Sequence, residues 1–283
     1  MARDVHAEVG PPPELRFRRR VRPISAVGEL WRSREVLRAL AERDLRARYK
    51  QAVLGVGWAV LTPLLLMVVF SVVFTKVAKV DTGGVPYPLF SYVALLPWTF
   101  FGTSVSQGAS SLIANTNLLN KVYLPREVFP IAVMVVAGVD MLVSSGVLAL
   151  LFGVFTFPPK PTTVLAPLLL LIQVAFTLGV TLVLSAVVVY LRDVRHALPI
   201  LLQLGLFATP VAYGLDVIPE EWQPLYVAVN PLGAVIEGYR DTILRGTAPD
   251  WGLTGIAALS ATLVLVLGYL CFKRLETGMA DVA

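Results

Sequence analysis

Long apolar stretches separated by short polar loops dominate this 283-residue sequence. Five of the stretches contain 21 residues or more. An α-helix needs roughly 20 residues to cross the ~30 Å hydrocarbon layer of a membrane. All five are therefore predicted to be transmembrane helices, at residues 54–75, 89–113, 131–155, 164–190 and 252–272.

A sixth apolar stretch, residues 198–213, is too short to cross a membrane alone. It has 16 residues and includes Pro199 and Pro210. At ~1.5 Å per residue it reaches about 24 Å, so a neighbouring segment has to complete the crossing. Backbone that leaves helical geometry inside a membrane must be shielded by protein or line an aqueous cavity. We therefore predict an all-α integral membrane protein with six transmembrane helices.

Composition agrees with a membrane protein and excludes several kinds of site. The chain is 56% hydrophobic and 15% charged, which is too apolar for an ordinary soluble domain. Its single cysteine, Cys271, cannot form an intrachain disulfide. His6 and His196 are far apart and lack neighbouring metal ligands. No uninterrupted apolar stretch occurs in residues 1–50, so no cleavable signal peptide is predicted.

The distribution of Lys and Arg predicts the orientation. Of 24 such residues, 13 precede the first apolar stretch. With six crossings, the side that holds both termini carries 19 of them, so both termini are predicted to be cytoplasmic. The five that remain on the outer side are Lys76, Lys79, Lys160, Arg240 and Arg245.

The segment before the first crossing has two parts. Residues 1–25 form a basic N-terminus, whose run of arginines at 16–22 favours anionic lipid or a topology signal over nucleic acid. Residues 26–53 are predicted to contain an amphipathic helix in the cytoplasmic interface, because apolar residues recur on one helical face. A cytosolic helix packed on a partner protein remains an alternative for this segment, and both can hold at once.

Asp140 is the only charged residue inside any of the apolar stretches. A charge near the centre of a membrane helix costs roughly 2.5–3.5 kcal/mol on insertion scales, so it needs a reason. One hypothesis is that Asp140 lines a transport path or acts as a relay residue within it. The other is an anchor that hydrogen-bonds another helix, with Ser144 and Ser145 on the same polar face. The sequence contains no phosphate-binding G-x-x-x-x-G-K-[ST] loop, so energy must come from elsewhere.

Eight motifs resemble those of one family in the same chain order. They are residues 43–55 with Trp58 and Pro63-Leu64, 86–88, 96–101, 117–126, 190–195, 208–211, 230–232 and 236–240. This pattern resembles ABC-2-type transporter permeases, and in particular the branch that exports O-antigen, teichoic acid and other lipid-linked polysaccharides. The resemblance covers roughly residues 40–275, so residues 1–25 lie outside it.

The resemblance implies a transport subunit without enzymatic activity of its own. In the family, such a subunit forms a homodimer and binds two copies of a separate ABC ATPase, which holds the ATP and Mg²⁺, so no cofactor is expected in this chain. The expected domains are the transmembrane domain at 54–275 and a cytoplasmic tail at 276–283. Between the fifth and sixth crossings, the resemblance implies re-entrant helices that form an outer gate. The expected substrate is a polyprenyl-diphosphate-linked polysaccharide crossing the inner membrane.

Two groups of candidate residues lie at the predicted cytoplasmic side. The loop between the second and third crossings is implied to couple to the ATPase through Asn117, Leu118, Lys121 and Tyr123. Basic side chains at the ends of crossings could bind an anionic substrate head group, although the positive-inside rule alone explains them equally well. These are Arg46, Arg48, Lys50, Arg192 and Arg195.

Two further groups of residues are assigned to the transport path and to the gate at its outer end. Aromatic rings can stack on sugars, and interfacial aromatic belts are the alternative explanation. The residues predicted to line the path are Trp98, Phe100, Phe101 and Asp140. The residues assigned to the outer gate are Pro210, Asn230, Pro231, Glu237 and Tyr239.

Other functions remain open from the sequence alone. An ABC-2 exporter of a drug or a small lipid would share this architecture. An ion-coupled transporter would need more charge within the membrane than Asp140 supplies. An intramembrane glycan-processing enzyme would need clustered acids, and the outer group Glu220, Glu221, Glu237 and Asp241 is the one candidate, which we interpret as a solvated gate region.

Overall fold

A computed structural model describes Gly28 and residues 32–50, 57–76, 81–119 and 124–279. Within these ranges the chain forms α-helices joined by short loops, with no β-strand. The helices are α1 (Arg34–Lys50), α2 (Gly57–Lys76), α3 (Tyr87–Ala114), α4 (Thr116–Leu119), α5 (Val128–Val154), α6 (Ala166–Tyr190), α7 (Val194–Ala208), α8 (Gln223–Val229), α9 (Leu232–Arg240) and α10 (Trp251–Glu276).

Five helices of the described chain are long and apolar enough to cross a membrane: α2, α3, α5, α6 with the 3₁₀ turn Pro161–Leu165 that precedes it, and α10. They coincide with the five predicted stretches, which confirms an all-α integral membrane protein. The sixth stretch corresponds to α7, which begins at Val194 and ends at Ala208. It is a shorter apolar helix of 15 residues, so the number of six crossings stays a prediction.

Helix α3 lies at the centre of the bundle, with α2 at its edge. In the most apolar part of each helix, 72% of the residues are buried in α3 and 17% in α2. Since lipid tails are as apolar as these side chains, helix association in a membrane depends on close packing rather than on a hydrophobic driving force. The exposed apolar face of α2 includes Leu65, Val69 and Val72.

Small residues allow a close backbone contact between α6 and α10. A Cβ atom added to Gly179 would lie 2.7 Å from the backbone nitrogen of Leu265. One added to Gly268 would lie 2.5 Å from the carbonyl oxygen of Gly179. The two backbones therefore meet at a point where only glycine fits, as is common between transmembrane helices.

The two ends of the bundle differ in structure. At the basal end, α1 and the C-terminus of α10 meet in an apolar cluster that includes Leu40, Phe129, Leu182 and Phe272. At the distal end, the short helices α8 and α9 and the π-helical turn Asp241–Arg245 lie between α7 and α10. Helices α2, α5 and α7 run from basal to distal, and α3, α6 and α10 run in the opposite direction.

Candidate functional site: a cavity between α2, α3, α5 and α7

A cavity of about 740 Å³ lies between α2, α3, α5 and α7, with the last turn of α1 at its basal side. Its lining combines aromatic rings with hydroxyl and amide groups. The aromatic residues include Trp58 from α2 and Trp98 and Phe100 from α3. The polar ones include Thr62, Thr99, Thr103, Ser144 and Gln203. Such a lining can contact apolar groups of a ligand and also form a few hydrogen bonds with it.

Asp140 lies in the wall of this cavity and is not isolated. Its carboxylate accepts hydrogen bonds from the guanidinium of Arg48 and from the hydroxyl of Tyr49, both in the last turn of α1. The Arg48 guanidinium also donates to the side-chain oxygen of Gln107 on α3. Burial, reinforced by the bond to Asp140, raises the pKa of Tyr49 to about 12. This geometry supports the anchor hypothesis for Asp140.

The depth of Asp140 differs from what its position in α5 suggests. It lies about halfway along α5, yet Ser144, one turn further on, donates a hydrogen bond of 2.9 Å to the carbonyl of Ala59 near the start of α2. Helix α5 therefore extends well beyond the basal end of α2. Asp140 lies level with the last turn of α1.

The three aromatic residues predicted to line the path point in two directions. Trp98 and Phe100 both line the cavity, and the indole of Trp98 packs against Gly205 of α7, where an added Cβ would lie 3.0 Å from the ring. Phe101 does not line it. Its ring stacks on Phe176 of α6, with ring centroids 5.6 Å apart, because one residue along a helix rotates the side chain by about 100°.

The predicted coupling segment lies at the basal end, beside α1. Asn117 is exposed, and Leu118 packs at the edge of the basal cluster. Just before them, the amide oxygen of Asn115 accepts a hydrogen bond of 2.9 Å from Arg43 of α1. Lys121 and Tyr123 lie outside the described residues. The structure thus connects the start of the coupling segment to the interface helix.

The end of the same segment is fixed to α10. The carboxylate of Glu127, which is buried, pairs with Lys273 at 2.8 Å, and Arg126 donates to the carbonyl of Glu276 at 2.8 Å. Met279, in the predicted tail, packs into the basal cluster.

The basic residues predicted to bind a head group are spread over the basal side. Arg46 is exposed and lies 3.8 Å from Glu42 of its own helix. Arg192 and Arg195, between α6 and α7, are exposed. The side chain of Lys50 lies outside the described residues. Of the other four, only Arg48 lines the cavity, so the structure does not bring these four side chains together into one site.

A second charged network, at the distal end, centres on Arg240, which is fully buried. Its guanidinium donates to the carbonyls of Pro210, Val211 and Tyr213 at 2.7–2.9 Å, and to that of Phe90 at 3.4 Å. It also lies 3.6 Å from the centre of the Phe90 ring. These bonds satisfy the non-helical backbone that follows α7.

Carboxylates balance the charge of Arg240. Glu237, one turn earlier, pairs with it at 3.1 Å and also binds Arg245, which in turn pairs with Asp241 at 2.7 Å. The interpretation of Glu237 and Asp241 as part of a solvated acidic group was therefore wrong. Both are paired with arginines and largely buried, whereas Glu220 and Glu221 are exposed.

The remaining predicted gate residues lie in and before α9 and contact different helices. Asn230 donates to the hydroxyl of Thr209 at 2.9 Å, and Pro231 immediately precedes α9. Tyr239 donates to the amide oxygen of Gln173 at 3.2 Å, and Gln173 donates to the carbonyl of Pro97 at 3.0 Å. Their role as a gate stays a prediction.

Sequence reasoning missed Arg240 and Gln173. Arg240 was counted as an outer-loop charge, because an amphipathic pattern assigns charged residues to a solvated face, whereas nearly all of α9 is buried. Gln173 had a usable signal, since it is a polar residue within an otherwise apolar stretch. Among the described residues, no three His, Cys, Asp or Glu side chains are grouped as a metal site requires.

Comparison with known proteins agrees with this architecture. Residues 35–244 match the family described as ABC-2 type transporter. This chain belongs to the ABC-2 type transporter family. The match extends from α1 into the π-helical turn, so it includes the cavity, the contacts of Asp140, and Arg240 with Glu237.

Individual relatives are similar along nearly their whole length. The chain is 37% identical over 255 residues to an O-antigen export system permease protein, RfbA, from Myxococcus xanthus, covering 89% of this chain and 97% of that protein. An RfbA of Klebsiella pneumoniae is 28% identical over 88% of this chain and 95% of its own. The polysialic acid transport protein KpsM of Escherichia coli is 23% identical over 85% and 93%. The family predicted from the motifs is thereby confirmed.

Proposed function

We propose that this chain is the membrane subunit of an ATP-driven exporter for a lipid-linked cell-surface polysaccharide. The observation that carries the proposal is the 37% identity with an O-antigen export permease along 97% of that protein. KpsM, named for polysialic acid transport, matches over a similar range, which favours a polysaccharide over a drug or a small lipid.

The basal end is assigned to the cytoplasm. The positive-inside rule supports this assignment, because 13 of the 24 Lys and Arg residues precede α2. In this orientation, α1 lies at the inner surface of the cytoplasmic membrane, and α8 and α9 lie at the outer surface.

Energy would come from a separate ABC ATPase, two copies of which bind a homodimer of this chain. The basal segment from Asn115 to Arg126 is the proposed docking site. The Arg43–Asn115 bond and the Glu127–Lys273 pair support it, because they attach the two ends of the segment to α1 and α10. Movement of the segment would therefore displace both helices.

The cavity is the proposed part of the path that each protomer contributes. Its aromatic and hydroxyl-bearing lining suits sugar faces and sugar hydroxyls. The exposed apolar face of α2 and that of α7, which includes Ile200 and Leu204, border the cavity and are available for dimer contact.

The direct test is reconstitution in vesicles with the ATPase that co-purifies with the chain. We expect ATP-dependent movement of a lipid-linked polysaccharide and stimulation of ATP hydrolysis by it. An Asn117→Glu variant should lower the stimulation while leaving insertion intact, since Asn117 is exposed; Asp193→Asn is the control at another basal loop. Purification of the chain without any ATPase would contradict the proposal.

A further inference from the structure

The two halves of α1 are held by different kinds of contact. In its first half, Val36, Leu37 and Leu40 pack into the basal apolar cluster. Ala41, beside them, is buried as well, and Leu45 is half-buried. Towards its C-terminus, hydrogen bonds also join α1 to the bundle: Arg43 to Asn115, Arg48 to Gln107 and Asp140, and Tyr49 to Asp140. Apolar packing therefore fixes one end of the helix, and a few hydrogen bonds fix the other.

The polar end of α1 forms part of the cavity wall. Arg48, Tyr49, Gln107 and Asp140 all line the cavity. Asp140 binds both α1 residues at once, one through each carboxylate oxygen. Through Asp140 and Gln107, the last turn of α1 bridges from α5 to α3 across the basal side of the cavity.

The bridge is partly exposed, which distinguishes it from a permanent structural pair. The side chains of Arg48 and Asp140 are 28% and 17% exposed, whereas that of Arg240 is fully buried. Because water can replace the lost partner of a partly exposed charge, separating such a pair costs far less than separating a buried one. The last turn of α1 can thus detach while its first half stays packed.

We infer that Asp140 is a positioning residue that holds the last turn of α1 across the basal mouth of the cavity, and that release of α1 from Asp140 opens this mouth. The inference rests on the proposed function for its orientation and for what passes through the mouth. Independently of orientation and substrate, Asp140 controls access to the cavity from the basal side.

Thiol accessibility tests this inference without requiring export. Thr103 lines the cavity one turn of α3 deeper than Gln107, to which Arg48 is bonded, so labelling at position 103 reports access past the Arg48 bridge. In a Cys271→Ser background, which removes the one native cysteine, Thr103→Cys provides a single reactive site. The assembled complex is placed in inside-out vesicles, and the labelling rate with a membrane-impermeant maleimide is measured.

We expect Asp140→Asn and Arg48→Gln each to raise the labelling rate from the basal side by about tenfold, since each removes a charge-assisted bond. Asp140→Glu should stay near the parent rate. Glu42→Gln is the matched control, because Glu42 is an acid on α1 whose pairs with Arg38 and Arg46 are exposed. Labelling from the distal side should not change in any variant, which a general loosening of the fold would not reproduce.

An unchanged basal rate in Asp140→Asn would overturn the inference. If that variant does not assemble, Arg48→Gln and Tyr49→Phe decide in its place. Restoration of the slow rate by the exchange of charges, Arg48→Asp with Asp140→Arg, would support the inference further. Because labelling requires no substrate, failure of this inference is distinguishable from failure of the proposed export, which is measured by reconstitution.

Discussion

The two charged networks of this protein lie at opposite ends of the bundle and are built differently. At the distal end, Arg240 is fully buried and donates mainly to backbone carbonyls of the chain after α7 and of α3. At the basal end, Arg48 is 28% exposed, and the bonds of Asp140 to the described part of the chain all go to side chains of α1.

This difference indicates that the distal network is part of the fold, whereas the basal network is a contact that can be released. Backbone carbonyls cannot turn away when their donor is lost, so Arg240 is required for the conformation of residues 209–213. Side chains such as Arg48 can change rotamer and find water. A buried charge network therefore defines a local structure, whereas a partly exposed one sets the position of a helix that exists without it.

Removal of the distal charge is expected to have the largest effect on stability. Arg240→Met leaves several buried carbonyls without their donor and removes one of the two arginines that pair with Glu237. We expect a loss of about 3–5 kcal/mol in the free energy of unfolding, seen as a large drop in the thermal unfolding temperature in detergent. Arg245→Met, at a side chain that is 32% exposed, should lose clearly less. Equal losses would show that burial does not distinguish the two arginines.

An uncharged contact near the distal network tests whether hydrogen bonding without charge is sufficient for stability. Gln173→Leu removes the donor to the Pro97 carbonyl and the acceptor for the Tyr239 hydroxyl. The expected cost is about 1–3 kcal/mol, measured in the same unfolding experiment. Gln203→Leu, at an exposed position on α7, serves as the control and should change the unfolding temperature little.

Ionic strength is expected to change the coupling energy of the basal pair but not that of the distal pair. Exposed charges are screened by salt, with a Debye length of about 10 Å at ~0.1 M and ~3 Å at 1 M. We expect the coupling energy of Arg48 with Asp140, from a double-mutant cycle, to fall as salt rises over this range. The same cycle for Arg240 with Glu237 should not respond. A distal coupling that weakens equally would contradict the assignment of Arg240 to a dry site.

The smallest effect is expected at a pair on the outer face of α1. Arg38 and Glu42 lie 2.8 Å apart, but their side chains are 82% and 45% exposed. Arg38→Gln should change the free energy of unfolding by about 0.5 kcal/mol or less. A larger loss would indicate that this face of α1 is covered in the assembled transporter.

Some of these features follow from the sequence directly. Each of the five long helices was predicted within a few residues, because a length of roughly 20 apolar residues has one common structural solution in a membrane. Asp140 was identified as significant because a lone acid in an apolar stretch needs a partner. Its partner was not predictable, since Arg48 is 92 residues away and lies on a helix outside the spans.

Other features depend on the direction in which a side chain points rather than on the residue type. Phe100 and Phe101 are adjacent and chemically identical, yet one lines the cavity and the other stacks on Phe176. Neither hydropathy nor composition separates them, because the rotation of α3 about its axis is set by its neighbours.

The sequence by itself determined the membrane character, the positions of the long helices and, through its motifs, the family. These depend on local hydrophobicity and on residue order, which the chain carries in full. The tertiary structure alone decided that Arg240 is buried rather than in an outer loop, and that Asp140 binds the last turn of α1. Both depend on contacts between segments that are distant in the chain, and only packing brings those segments together.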